Sequence, residues 1–287
     1  MRTPTCLLGG PGIEDRVAHG HDPDRFVEIG SLSKVFTGTV LAALAGQGAL
    51  DPDAPLHEIL PEVPRTSAIT PRRLAEHTSG LPRLLPVPTG PPDDPYADFT
   101  ETALRDALRD LEALRRSPAG EEEEYSNLGY AVLGLALTTA TGRTYQELVD
   151  AHVLRPLDLA AGAVTARPPG DLRLVPRTLL GRPRPLWNLT GAILPSGGLW
   201  ATPRTMARVL VGLLVERRLG APAPTWRRAG PTLWHNGATR DASVVAAAHD
   251  DGRWLLLHRF GDPAKTDRLA VATLTAAPAP APRPDIR

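Results

Sequence analysis

The sequence holds one cysteine, two lysines and no net charge, and each scarcity excludes something. A single cysteine, Cys6, can form neither an internal disulfide nor a cysteine-based zinc site. The 32 Lys and Arg residues balance 32 Asp and Glu. Nucleic-acid-binding domains usually carry a basic excess, so no nucleic-acid partner is expected. No apolar run approaches the roughly 18 residues that span a bilayer, so no membrane partner is expected either. Residues 1–15 contain one arginine, an apolar stretch of only Cys6-Leu7-Leu8, and acids from Glu14 onward. A secretory signal reads differently, and the expected location is the cytoplasm. Also missing are a serine in a G-x-S-x-G elbow, an H-E-x-x-H pair, a P-loop and a G-x-G-x-x-G turn.

The lysine shortage is the most informative of these. Only Lys34 and Lys265 are present, beside 31 prolines and 26 glycines, as under pressure from GC-rich coding DNA. Arginine can hold a charge but cannot lose its proton, so lysine should persist mainly where a free amine is needed.

What remains is ordinary for a globular protein: 287 residues, 42% hydrophobic and 22% charged, enough for one large domain or two lobes. Glycines 9, 10, 12, 20 and 30 break short apolar pieces into strands and turns. Val35, Val40, Leu41 and Leu44 follow helical spacing over residues 32–50, with Ser31 at the N-cap end and Gly48 as the stop. Prolines crowd residues 81–96 and predict a long irregular loop. Further helices are expected over 100–116, where Glu112 would pair with Arg116, over 127–141, after a Thr144/Glu147 capping box, and over 202–215. Residues 232–235, 243–249 and 253–260 read as strands, with Asp250-Asp251-Gly252 as a hairpin turn. A helix over 262–276 and a disordered Ala/Pro tail over 277–287 close the chain. The fold expected is therefore α/β (α+β). An antiparallel sheet lobe, about 1–50 with 229–276, is flanked by helices and interrupted by a mainly helical lobe, about 51–228.

Two clusters carry titratable groups early in the chain. His19-Gly20-His21-Asp22-Pro23-Asp24 has metal-like spacing but no evident partner ligands, so it reads as a solvated turn and no metal is expected. Ser31-Leu32-Ser33-Lys34 places an amine one helical turn from a hydroxyl on the same face. A desolvated lysine can act as the base a serine needs to become a nucleophile. The helix start would also favour a developing negative charge on Ser31 and on a reacting oxygen nearby. Taken alone, the pair is weak: eight serines and two lysines give roughly 0.06 such matches by chance, and an N-cap serine beside an exposed lysine fits equally well.

Two more clusters change that balance. Tyr125-Ser126-Asn127 precedes a buried helix, and His235-Asn236-Gly237 ends a strand, where glycine allows close approach to the backbone. Ser-x-x-Lys, Tyr-x-Asn and basic-x-Gly, in that order, resemble the serine β-lactamase and penicillin-binding protein superfamily. Phe26-Val27-Glu28-Ile29-Gly30, Ile69-Thr70-Pro71, His77-Thr78-Ser79-Gly80-Leu81-Pro82, Arg155-Pro156-Leu157 and Gly197-Gly198-Leu199 fit the same resemblance. It covers about residues 26–260 and lies nearest the class C β-lactamase, esterase and DD-peptidase branch.

The resemblance implies a single catalytic domain over 1–276 and a role for each residue. Ser31 would be acylated by a small ester, amide or activated acyl substrate, with Lys34 as base and Tyr125 as the second acid/base. Asn127 would hydrogen-bond the substrate amide and Lys34, and His235 would stand where lysine is common. Asn236 and Gly237 would line the strand edge, and the N–H groups of Ser31 and Ala238 would form the oxyanion hole. No cofactor is implied. A transacylase, a DD-carboxypeptidase or β-lactamase, and a catalytically dead binding module remain as alternatives. So do bland readings of single residues: Tyr125 as a core aromatic, Asn127 as a helix N-cap, His235 as a solvent-facing strand residue. The four glutamates at 121–124 read as a solvated loop or as a negative rim. As a rim, and with histidine at 235, they would make the pocket poor for anions unless Arg240 points inward.

Overall fold

A computed structural model of the chain describes residues 3–86 and 89–279. Nine strands are present among these residues: β1 (Thr5–Gly9), β2 (Arg16–Ala18), β3 (Val27–Glu28), β4 (Val164–Thr165), β5 (Trp200–Ala201), β6 (Arg227–Ala229), β7 (Thr232–Ala238), β8 (Ser243–His249) and β9 (Trp254–Arg259). Six of them form one antiparallel sheet in the order β2-β1-β9-β8-β7-β6, so the first strands of the chain lie beside the last. The second sheet, β3-β5-β4, is small and ends one residue before the Ser31 turn. The helices are α1 (Ser33–Gly46), α2 (Pro71–Ala75), α3 (Glu101–Leu108), α4 (Leu111–Leu114), α5 (Asn127–Thr141), α6 (Tyr145–Val149), α7 (Leu194–Gly197), α8 (Pro203–Leu210) and α9 (Pro263–Ala276).

Side chains alternate across a strand, and β8 divides its residues between two cores accordingly. Val244, Ala246 and Ala248 join the main core with Leu32, Phe36 and Met206, while Val245 and Ala247 join Leu255, Leu257, Ala270 and Leu274 under α9. The sheet is thus covered on both faces, and β8 reads as an almost continuous apolar run. On the far side of the main core, α1, α5 and α7 pack together. Each fully buried Leu or Phe there contributes roughly 1.5–3 kcal/mol. That burial lets α1 carry Thr37, Gly38 and Thr39, weak helix formers, in its centre.

Several sequence expectations change here. Residues 100–116 form two helices, because Asp110 leaves the helical region (φ −108°, ψ 23°) and its carbonyl starts a new turn by accepting from Ala113 and Leu114. Glu112 then pairs with Arg115, and Arg116 pairs with Glu124. Residues 202–215 continue from α8 into a wider π turn at Val211–Val215. The His19–Asp24 segment is not wholly solvated. His21 is buried, its Nε2 lies 2.7 Å from Nδ1 of His258 on β9, and its ring stacks on Phe260. At the start of the tail, the Ala277 carbonyl accepts from Arg253 Nη1 at 2.6 Å. The rest of that segment, 280–287, lies outside the described residues.

Candidate active site

Ser31 sits in a 3-10 turn, Gly30–Leu32, that feeds directly into α1. The end of β7 lies against this turn because two side chains are missing. A Cβ at Gly30 would come 2.8 Å from the Ala238 nitrogen, and one at Gly237 would strike the Ile29 carbonyl and come 2.9 Å from the Ser31 nitrogen. Gly30 also holds φ +49°, a region open to glycine at little cost. The seam brings the backbones of Ser31 and Ala238 together, while the Ser31 side chain stays partly accessible.

Lys34 is wholly buried, so the exposed-lysine reading does not hold. Its Nζ lies 2.8 Å from Asn127 Oδ1, 2.8 Å from the Ser196 carbonyl oxygen and 3.2 Å from Ser31 Oγ. Burial, with Arg83 as a secondary cause, pushes its pKa well below the usual lysine value. A neutral amine has two N–H donors and one lone pair. In that form the amide and carbonyl oxygens, which can only accept, would take both donors and leave the lone pair for Ser31. Asn127 Oδ1 also accepts from Ser196 Oγ at 3.0 Å, which fixes the orientation of that amide. Asn127 is not the N-cap of α5. Ser126 is, accepting from the Gly129 N–H.

On the other side of Ser31, the Tyr125 hydroxyl donates to Oγ at 2.6 Å. Its pKa is raised by burial despite the Ser31 hydrogen bond and the Arg83 and Arg227 charges, so it holds its proton at neutral pH. The Tyr125 ring lies 4.7 Å from Lys34 Nζ and 4.6 Å from the His77 ring. The guanidinium carbons of Arg83 and Arg227 stand 5.6 and 5.9 Å from it. Two of the four glutamates at 121–124 are neutralised by arginines. Glu123 is paired to Arg227 and Glu124 to Arg116, while Arg240 donates to the Asp93 carbonyl.

Strand alternation decides the β7 residues. His235 and Gly237 point into the protein, and His235 is buried and neutral, its pKa lowered to about 3, chiefly by burial. Its Nδ1 donates to the Asn236 carbonyl at 2.7 Å. Asn236 faces the opposite way and donates to Asp267 Oδ2 on α9 at 3.0 Å, so its side chain belongs to the far face rather than to the site. Residues 235–238 pair with β8 on one side only, because β6 ends opposite Trp234. Among the described residues, that leaves a free strand edge beside Ser31.

Sequence reasoning did not find Ser196, Arg83, Arg227, His77 or Tyr96. Tyr96 comes from the proline-rich loop and packs edge-on against Trp187. Glu28, two residues ahead of the turn, is buried, accepts from Thr239 Oγ1 at 2.9 Å and has its pKa raised to about 7, chiefly by burial. Among the described residues, no group of three or more His, Cys, Asp or Glu could hold a metal ion. None of the described helices is long and apolar enough to cross a membrane.

The model of the Beta-lactamase family matches residues 10–282. The D-alanyl-D-alanine-carboxypeptidase/endopeptidase AmpH of Escherichia coli K12 is 32% identical over 190 residues, 64% of this chain and 48% of that protein. Penicillin-binding protein 4 of Amycolatopsis lactamdurans is 32% identical over 47% of this chain and 35% of its own length. The chain thus spans about half, or less, of the length of these relatives. A class C β-lactamase from Rhodobacter sphaeroides superimposes with a TM-score of 0.76 at 18% identity, covering 95% of this chain and 93% of that one. The β-lactamase/D-alanine carboxypeptidase of Yersinia pestis gives 0.74 at 20% identity, covering 95% and 93%. These superpositions establish the fold. With the family match extending over nearly the whole sequence, the chain belongs to the beta-lactamase family, within the superfamily of serine hydrolases.

Proposed function

We propose that the protein is a serine acyl-enzyme hydrolase acting on a small ester, amide or activated acyl group, with residues 1–276 as one catalytic unit. One observation carries this reading: Lys34 Nζ, held by two obligate acceptors, lies 3.2 Å from Ser31 Oγ, while Tyr125 donates to the same oxygen. In acylation, Oγ bonds to the acyl carbon and its proton passes to Lys34 Nζ. The acyl oxygen takes up the displaced electron pair beside the N–H groups of Ser31 and Ala238. Collapse of this adduct breaks the bond to the leaving group, which takes the Tyr125 proton, and Lys34 restores that proton to Tyr125. Water then repeats the sequence with the roles reversed, giving one acid and regenerating Ser31. The free edge at residues 235–238 and the Asn127 amide supply places for the polar backbone of an acyl donor. His235, being neutral, contributes shape and hydrogen bonding there rather than charge.

Intact-protein mass spectrometry after exposure to a fluorophosphonate tests the reading. One adduct mapped to Ser31, and lost in Ser31→Ala, supports it. No adduct on folded protein would leave a binding module without chemistry. Adding amines to p-nitrophenyl butyrate hydrolysis and looking for amide product separates water from an amine as acceptor. A second reading, D-alanine carboxypeptidase, draws on the similarity to the D-alanyl-D-alanine-carboxypeptidase/endopeptidase AmpH. D-alanyl-D-alanine peptides in the same assay decide it.

A further inference from the structure

His77 occupies a backbone conformation that histidine rarely adopts. Its φ is +61°, in the left-handed region just after α2, where glycine is the usual residue. Holding a non-glycine residue there is unfavourable, so something in the surroundings must favour the side chain. The contacts identify it. The His77 carbonyl accepts from the Glu124 N–H at 2.8 Å, and Nδ1 accepts from the Ser126 N–H at 3.0 Å. These are the two backbone donors that flank Tyr125. The imidazole also packs at a tilt against the Tyr125 ring, with centroids 4.6 Å apart, and against Tyr130 at 5.0 Å. Tyr130 is itself tied by its hydroxyl to the Ala75 carbonyl and Thr225. No hydrogen bond joins His77 to Ser31 or Lys34.

We propose that His77 is the positioning residue for Tyr125: it grips the chain on both sides of the tyrosine and backs its ring, so that the phenol stays aimed at Ser31. Because Nδ1 accepts, the ring carries its proton on Nε2 and is neutral. Burial, with the Arg227 charge adding to it, lowers its pKa to about 3 and keeps it so at working pH. An aspartate or glutamate could also accept from Ser126, but its charge would oppose the proton movements proposed for Tyr125. Glycine would suit the backbone and lack the acceptor. The inference rests on the proposal that Tyr125 moves a proton in the reaction.

The test is a set of variants assayed by p-nitrophenyl butyrate hydrolysis. His77→Gly keeps the left-handed backbone and removes ring and acceptor. It should lower kcat roughly 10- to 100-fold with little change in KM. His77→Asn tolerates the same φ and retains an acceptor near Nδ1, so it should recover most of that loss. Both substitutions are repeated in Tyr125→Phe, where His77→Gly should cost nothing further, since the hydroxyl it positions is gone. Equal, additive losses in both backgrounds, or an asparagine variant no better than glycine, would overturn the proposal. If Tyr125→Phe alone leaves turnover unchanged, the reading of Tyr125 fails and this inference falls with it. Should the glycine variant not fold, the ring 15N shifts of wild-type His77 at pH 7 decide. Protonated Nε2 with bare Nδ1 is required, and the opposite tautomer overturns the proposal.

Discussion

Gly237 lies where any side chain would press on the turn carrying Ser31: a Cβ there meets the Ile29 carbonyl and comes 2.9 Å from the Ser31 nitrogen. Gly237→Ala should therefore push β7 away from the nucleophile and lower kcat/KM by at least about 100-fold, because small displacements of reacting groups are costly. Gly46→Ala is the matched control. Its Cβ meets open space in a helix, and it should stabilise by about 0.5–1 kcal/mol without affecting turnover. Thermal melts and steady-state kinetics on the two variants read both effects.

Lys34→Met keeps much of the buried volume and removes the amine. Turnover should fall by roughly 10²–10⁴, the usual worth of general-base assistance. Lys34→Arg should lose as much activity and also melt earlier, because a guanidinium cannot shed its charge in a wholly buried site. Lys265 is exposed on α9, and Lys265→Arg should change stability by less than about 0.5 kcal/mol and leave kinetics alone. Comparable activity losses at both lysines would point to general destabilisation.

The pH profile of kcat should be a bell with assignable limbs. Lys34 must be unprotonated, and since burial lowers its pKa, activity is lost only as pH falls through that lowered value. Tyr125 must keep its proton, and since burial raises its pKa, the alkaline loss begins above the ordinary phenol range. In Tyr125→Phe the alkaline limb should vanish along with most of the rate. An alkaline limb that survives the substitution would assign it to another group.

Arg83 and Arg227 beside Tyr125 give the site a positive field. Between matched esters, the anionic one should show the higher kcat/KM at low ionic strength. Added salt should shrink the difference, because both guanidiniums are solvent-exposed. Replacing both arginines by glutamine should abolish it. Equal rates for the two esters on the native protein would mean the field is screened at the reacting atoms.

Glu28 should make stability fall as pH rises. Its folded pKa, about 7, lies above the ordinary 4.5, so the unfolded chain releases the proton first. The stabilising share of the protonated carboxyl is complete below pH 4.5 and is lost as pH climbs to about 7, a change of about 3 kcal/mol relative to Glu28→Gln. Paired denaturant titrations at the two ends of that range measure it. A constant difference between native and variant would show that Glu28 ionises normally.

Much of the site was legible because its signals are local. One helical turn links Ser31 to Lys34, and Tyr125 directly precedes a helix whose start and stop, Ser126 and Gly142, are written in the sequence. Asn236 was misplaced although the alternation of Leu233, His235 and Gly237 already assigned it to the other face. Arg83, Arg227 and Ser196 come from separate segments, and nothing near them in the chain marks their meeting at Tyr125 or Lys34. The His21–His258 pair spans 237 positions, so a polar-looking turn gave no sign that half of it is core. Polar residues that pair in the interior look like surface residues until their distant partners are known.

The sheet joins β1 to β9, and β7 follows Tyr125 only after α5 to α8 and β4 to β6. During synthesis the ribosome therefore releases Ser31, Lys34 and Tyr125 long before the strand that completes their setting. Most of the sheet's pairings are far apart in sequence and must wait for that release, which favours slow assembly. A nascent chain that stalls before β7 carries Ser31 with half of its surroundings missing. The proposed chemistry must therefore wait until β7 has emerged and docked.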